Sequence, residues 1–137
     1  MDPVLELQGA IIARLRADAD VAAIVGPRVY DIPPAKAPLP LISIGPTNYQ
    51  SHDVTCMTSG NVMLQIDAWS EQRNLSEIRQ LAEAIRSALR DWEPTLAVNA
   101  LVALDHWRTD YINQGEIQHA SIRYNAIVEQ PGATAHY

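Results

Sequence analysis

Apolar residues recur along this chain with two different periods, and the switches between them divide it into elements. Val4, Leu7, Ile11 and Leu15 return every three or four residues, the spacing of one helix face. Asp2 can cap that helix, and Pro3 can take its first position, where a missing N–H costs nothing. The helix should run to about Asp18. Asp20 to Val25 again begins on a capping residue and stops at Gly26-Pro27, which predicts a second, short helix. Arg28 to Asp31 reads as a brief strand. Ile32 to Pro40 holds prolines at 33, 34, 38 and 40, so it must be an extended loop. Leu41 to Ile44 is apolar enough for a strand, ending at Gly45-Pro46.

From Pro46 to Gly60 the chain is polar and shows no period. The expectation is a long excursion, mobile in the free chain and ordered only against a neighbouring subunit. Period two then sets in, with Val62, Leu64, Ile66 and Ala68 alternating with Met63, Gln65, Asp67 and Trp69, which predicts a strand with one buried face. Asn74 or Ser76 can cap a helix whose stripe is Leu75, Ile78, Leu81, Ala82, Ile85, Leu89 and Trp92, and Pro94 should end it. Leu101 to Ile112 and Ile117 to Glu129 read as two strands joined through Asn113-Gln114-Gly115, a three-residue loop in which Gly115 supplies a positive φ.

The predicted order is α-α-β-β-β-α-β-β. Short hairpin connections and helices segregated in sequence make a two-layer α+β sandwich the economical fold, with a mostly antiparallel sheet and its helices on one face. One domain over residues 1–130 is expected, followed by a disordered tail at 131–137 with nothing to bury.

Composition narrows the function. Hydrophobic residues make up 47% and charged residues 19% of the 137 positions, a globular balance. The formal net charge is -6 and Lys36 is the only lysine, so the chain is a poor candidate for gripping nucleic acid through phosphates. Cys56 is the only cysteine, which excludes an intramolecular disulfide and a thiolate-rich zinc site. Glu6, Gln8 and Arg14 interrupt the first apolar stretch, and neither a signal peptide nor a membrane span is expected.

No constellation of nucleophile, base and orienter is legible. The histidines, at 52, 106, 119 and 136, show no metal-ligand spacing with one another or with Cys56. His106 and His119 could face each other across the terminal hairpin, where a solvated pair or one half-buried ring is a simpler outcome than a zinc site. Cys56 and His52 are four residues apart in a polar segment, a spacing that carries little geometry, and an incidental thiol is the plainer reading. Phosphate loops, dinucleotide fingerprints and calcium loops are absent. Asp2, Asp18 and Asp20 are accounted for as helix caps. Trp92 continues a core stripe, whereas Trp69 falls opposite the buried face of its strand and suits a second packed surface or a subunit contact.

Several segments, in order, carry a resemblance. They are Leu15-Arg16-Ala17-Asp18 with Val21-Ala22-Ala23-Ile24-Val25-Gly26, then Arg28-Val29-Tyr30, then Pro38-Leu39-Pro40 with Leu41-Ile42-Ser43-Ile44-Gly45. A strand ending Asp67-Ala68-Trp69-Ser70 before the long helix follows, and the hairpin closes on Arg123-Tyr124-Asn125-Ala126-Ile127-Val128-Glu129. In their order and spacing these resemble the tail-completion, or tail-terminator, proteins of long-tailed phages, prophages and gene transfer agents. The resemblance implies a ring at the head-proximal end of a tail tube that stops tube polymerisation and meets the head connector. Its partners would be further copies of itself, a tail tube protein and a head-tail connector protein, with no specific nucleic-acid binding and no membrane. It would reside in the bacterial host cytoplasm during assembly and then in the virion tail.

The resemblance carries over no catalytic, cofactor or metal residue. Candidate subunit-interface residues are Tyr49, His52, Asp53 and Met57 in the polar segment, together with Trp69. Two other classes compete: a small-ligand or nucleotide-binding regulatory α+β domain, and a hydrolase using Cys56 and His52.

Overall fold

The computed structural model describes residues 1–52 and 58–130. Its element order is α1 (Pro3–Ala17), α2 (Ala19–Val25), β1 (Val29–Tyr30), β2 (Leu41–Ser51), β3 (Thr58–Ser70), α3 (Ser76–Leu89), β4 (Ala100–Gln114) and β5 (Ile117–Gln130), the order that the periodicity predicts. The five strands form one sheet in the order β1-β2-β3-β5-β4, antiparallel except for the short parallel pair β1–β2. α1 and α3 pack against the sheet, and α2 packs against both of them.

Local chemistry accounts for the helices. Asp2 caps α1, its Oδ1 accepting from the Val4 N–H at 2.7 Å, and Leu7, Ile11 and Leu15 are buried along one stripe. Asp18, rather than Asp20, caps α2: its Oδ1 accepts from the Asp20 and Val21 N–H groups, both at 3.0 Å. One residue thus closes α1 and opens α2. Neither Asn74 nor Ser76 is the residue that caps α3. That position falls to Leu75, which has no capping side-chain bond, while Asn74 Oδ1 takes the Ser76 N–H at 2.9 Å.

α3 stops at Leu89, before Trp92. Pro94 disfavours helical backbone at residue 93, and its ring would clash with the carbonyl of residue 90, so its effect reaches back four residues. The chain leaves through Asp91 at φ 56, and Trp92 reaches the edge of the core from the loop instead of from the helix.

The core lies between the helices and one face of the sheet. Val62, Leu64, Ile66 and Ala68 of β3 meet Ala120, Ile122, Tyr124, Ala126 and Val128 of β5, with Ile42 of β2 alongside. Ile66 and Ile122, both fully buried, are paired across β3 and β5.

The polar segment departs most from expectation. β2 continues past Gly45-Pro46 to Ser51, and Thr47 to Ser51 pair with Leu64 back to Gly60. Only 53–57 of the expected excursion lie outside the described residues. The strand absorbs Gly45-Pro46 in a register shift between Ile44 and Thr47. A Cβ at Gly45 would fall 2.4 Å from Asp67 Oδ2, so any larger residue here would displace the Asp67 side chain. Period two is missing here because much of this arm is solvated, its ladder supplied by the partner strand rather than by a buried face.

The terminal hairpin is tighter than predicted. Gln114 pairs with Ile117, leaving the two-residue turn Gly115-Glu116, with Gly115 at φ 77 and its N–H held by Asn113 Oδ1 at 3.0 Å. That turn places His119 opposite Ile112, and the register shift between His106 and Arg108 then places His106 opposite Tyr124. The two histidines therefore sit on opposite faces of the sheet.

Candidate functional site

Alternation that turns aliphatic residues of β3 and β5 toward the helices turns a different set outward. No helix among the described residues packs on that outer face, and several of its polar groups bond to one another instead. Asp67 is only 6% exposed, and its Oδ1 accepts from His119 Nε2 at 2.7 Å and from Gln65 Nε2 at 2.8 Å. The His119 ring lies flat on Trp69, with centroids 3.9 Å apart and planes 6° from parallel. Trp69 Nε1 donates to Ser43 Oγ at 3.0 Å, which extends the cluster to β2. Toward β4, Arg123 Nε donates to Gln65 Oε1 at 3.3 Å, and its guanidinium stands 5.9 Å from the Trp107 ring centroid. Hydrogen bonds thus join β2, β3 and β5, and a ring contact extends the network to β4. Each group named here has a partner, as groups withdrawn from water require, whereas the buried Ser121 hydroxyl beside Asp67 has none among the described residues.

Around this network the sheet exposes apolar side chains. Register shifts in β4 at Leu101/Ala103 and His106/Arg108 leave Val102 and Trp107 without cross-strand partners, and these residues are 55% and 48% exposed. Ile112 and Ile127 are 40% and 42% exposed. β4 is an edge strand, and its bulges both twist the edge and present these residues to solvent.

The candidate residues named from sequence divide four ways. Trp69 is half-buried at the centre of the polar network. Tyr49 packs inward against the core, its ring occupying the space a Cβ at Gly60 would fill. His52 is exposed and closes the β2–β3 ladder, its N–H donating to Ser59 O and its carbonyl accepting from Ser59 Oγ, both at 2.8 Å. Asp53 and Met57, like Cys56, lie outside the described residues. The partners of Trp69, namely Ser43 and His119, and the Asp67 that holds His119 carry no sequence signal beyond sharing its face by parity.

A second polar group, also missed from sequence, sits on the helix side at the edge of the core. Arg86 of α3 donates to Thr109 Oγ1 at 3.2 Å, to Tyr111 Oη at 3.4 Å and to Glu83 Oε2 at 2.9 Å. Thr109 Oγ1 in turn meets His106 Nε2 at 2.8 Å. Burial, and then the Arg86 charge, push the His106 imidazole below its ordinary pKa. Burial pushes the Tyr124 phenol up to about 12.

Elsewhere, Glu6 of α1 accepts the Val98 and Asn99 N–H groups at 2.9 and 2.8 Å and pins the α3–β4 connection. Those bonds, the Asn99 N–H foremost, hold its carboxyl below the ordinary glutamate range. Among the described residues, no three His, Cys, Asp or Glu side chains are grouped to hold a metal ion, and no helix is long and apolar enough to cross a membrane.

Comparison with known proteins places these features in context. The family described as Tail completion protein gp17 matches residues 9–129. Among solved structures, a chain from the "Virion of native gene transfer agent (GTA) particle" superposes with a TM-score of 0.85 at 26% identity, covering 93% of this chain and 98% of that one. No curated protein matches.

Proposed function

Because this chain belongs to the Tail completion protein gp17 family, we propose that it closes the head-proximal end of a phage-type tail tube as a ring and gives the head connector a surface to join. At the coarser level the protein is a structural component of a phage-type tail. The observation that carries the finer reading is the match to a chain of an assembled virion particle over 98% of that chain's length.

Physical features support it. A ring needs contacts that are not self-complementary, because head-to-tail contacts close a circle when their rotation divides it. Among the described residues, β4 and the part of β2 beyond its short pairing with β1 lie at opposite sides of one sheet, as such contacts demand. The formal net charge of -6 suits a lumen through which nucleic acid passes without being held. In this reading the partners are further copies of the chain, the tube protein and the head connector. Tyr49, His52, Asp53, Met57 and Trp69 are candidate contacts. The chain has no catalytic role, and it acts in the host cytoplasm during assembly and then in the virion tail.

The test is addition of the purified protein to terminator-deficient tails built from its cognate tube subunit. Tails should stop at normal length and join heads. Tubes that keep growing and stay headless at saturating protein would overturn the reading.

A further inference from the structure

The last two turns of α3 place Arg86 and Arg90 four residues apart, hence on one side of the helix. Both guanidiniums lean on the same carboxylate: Glu83 meets Arg86 at 2.9 Å and Arg90 at 3.7 Å. On this side of α3 two positive charges thus face one negative charge, and Arg90 is 61% exposed.

These two side chains line a cleft of about 280 Å³ with Leu89, Leu104, His106 and Tyr124. Tyr124 belongs to the inward face of β5 and is 2% exposed, yet its hydroxyl has no hydrogen-bond partner among the described residues. A buried hydroxyl left unpaired is costly, and it marks a place where a ligand oxygen would be welcome. Two acidic residues also border the cleft. Asp91 is exposed at its rim, and Asp105, paired with Asn125, belongs by alternation to the opposite face of the sheet.

We infer that this cleft is an oxyanion site, in which a carboxylate or phosphate group would be gripped by Arg86 and Arg90 and would accept a hydrogen bond from Tyr124 Oη. Guanidinium groups suit such ligands because their fork of donors matches two oxygens at once and is weakly hydrated. The phenol stays protonated throughout the physiological range, so it is a permanent donor. His106 supplies a reporter. Its imidazole is depressed by burial and by the Arg86 charge, and an anion bound beside Arg86 would lift it. The chemistry is shared by free phosphate and by an acidic side chain of another polypeptide. The site stands or falls independently of whether the protein forms a ring.

The experiment is an NMR titration of the whole protein with inorganic phosphate and, separately, with N-acetyl-glutamate methylamide, at ionic strength held constant with chloride. Both the Arg90 and Tyr124 signals and the His106 titration midpoint are followed. The expected result is a saturable shift and a raised His106 midpoint. Arg90→Gln and Tyr124→Phe should each weaken binding about tenfold while leaving the remaining spectrum native, since each removes one donor to a charged group. Phosphate binding well ahead of the glutamate derivative would assign the site to a free ion. Comparable binding of the two would assign it to a carboxylate carried on a protein. No saturable shift with either probe, or undiminished binding in both variants, would overturn the inference.

Discussion

The two faces of the sheet follow the same alternation and end in opposite chemistry. The face under α1 and α3 is aliphatic, with Ile42, Ile66, Ala68, Ile122 and Val128 fully buried. The other face holds Ser43, Asp67, Trp69, His119, Gln65 and Arg123 in one bonded network, ringed by exposed Trp107, Ile112 and Ile127. The covered face is stabilised by removal of apolar surface from water, which is insensitive to direction. The open face is stabilised by partners at fixed distances, which leaves a surface with defined donors, acceptors and ring planes. A protein whose work is assembly needs both: one face to fold it and another to be recognised.

The largest expected contrast is between a core residue and an exposed ring. Ile66→Ala should cost about 3–4 kcal/mol of unfolding free energy in urea, whereas Trp107→Ala on the open face should cost less than about 1 kcal/mol. Equal costs would mean that the open face is a second core, and the contrast between the faces would collapse.

A middle-sized effect would sharpen the comparison. Asp67→Ala removes the acceptor of both His119 and Gln65 and should cost about 1–3 kcal/mol in the same assay, with loss of the Trp69–His119 stack visible as a change in tryptophan fluorescence. A cost indistinguishable from zero would show that the network only decorates the surface.

The smallest effect concerns the helical layer. Glu6 has a lowered pKa in the folded protein, so its contribution is present above the unfolded value near 4.5 and is lost as pH falls through the folded value. The melting temperature of the native chain should therefore drop more steeply than that of Glu6→Gln between about pH 3 and 6. Parallel curves would remove Glu6 as the clamp on the α3–β4 connection.

Much of this architecture was legible in the residues. The period of α1, the stripe of α3 through Leu89 and the alternation of β3 are set by which side chains must leave water, and they hold whatever packs against them. Trp69 could be assigned to the outward face for the same reason, since parity along a strand is fixed once one face is buried. Two elements were not legible in this way. The Thr47–Ser51 arm shows no period because it buries little, although a strand needs only a partner for its backbone. The stripe of α3 runs on to Trp92, while the steric reach of Pro94, acting on the backbone, ends the helix at Leu89.

The sequence by itself determined the order of the elements, the buried faces and the absence of any recognisable catalytic motif, because these follow from periodicity and composition. Only the tertiary structure decided which polar side chains meet. His119 finds Asp67 across 52 positions and Arg86 finds Thr109 across 23, because the turn at Gly115-Glu116 and the β3–β5 pairing fix the register. A shift of one residue in that register would turn each of these groups to the other face. Local sequence sets the parity of a strand, but long-range pairing sets its neighbours, and the open face and the Arg86 cleft are made of neighbours.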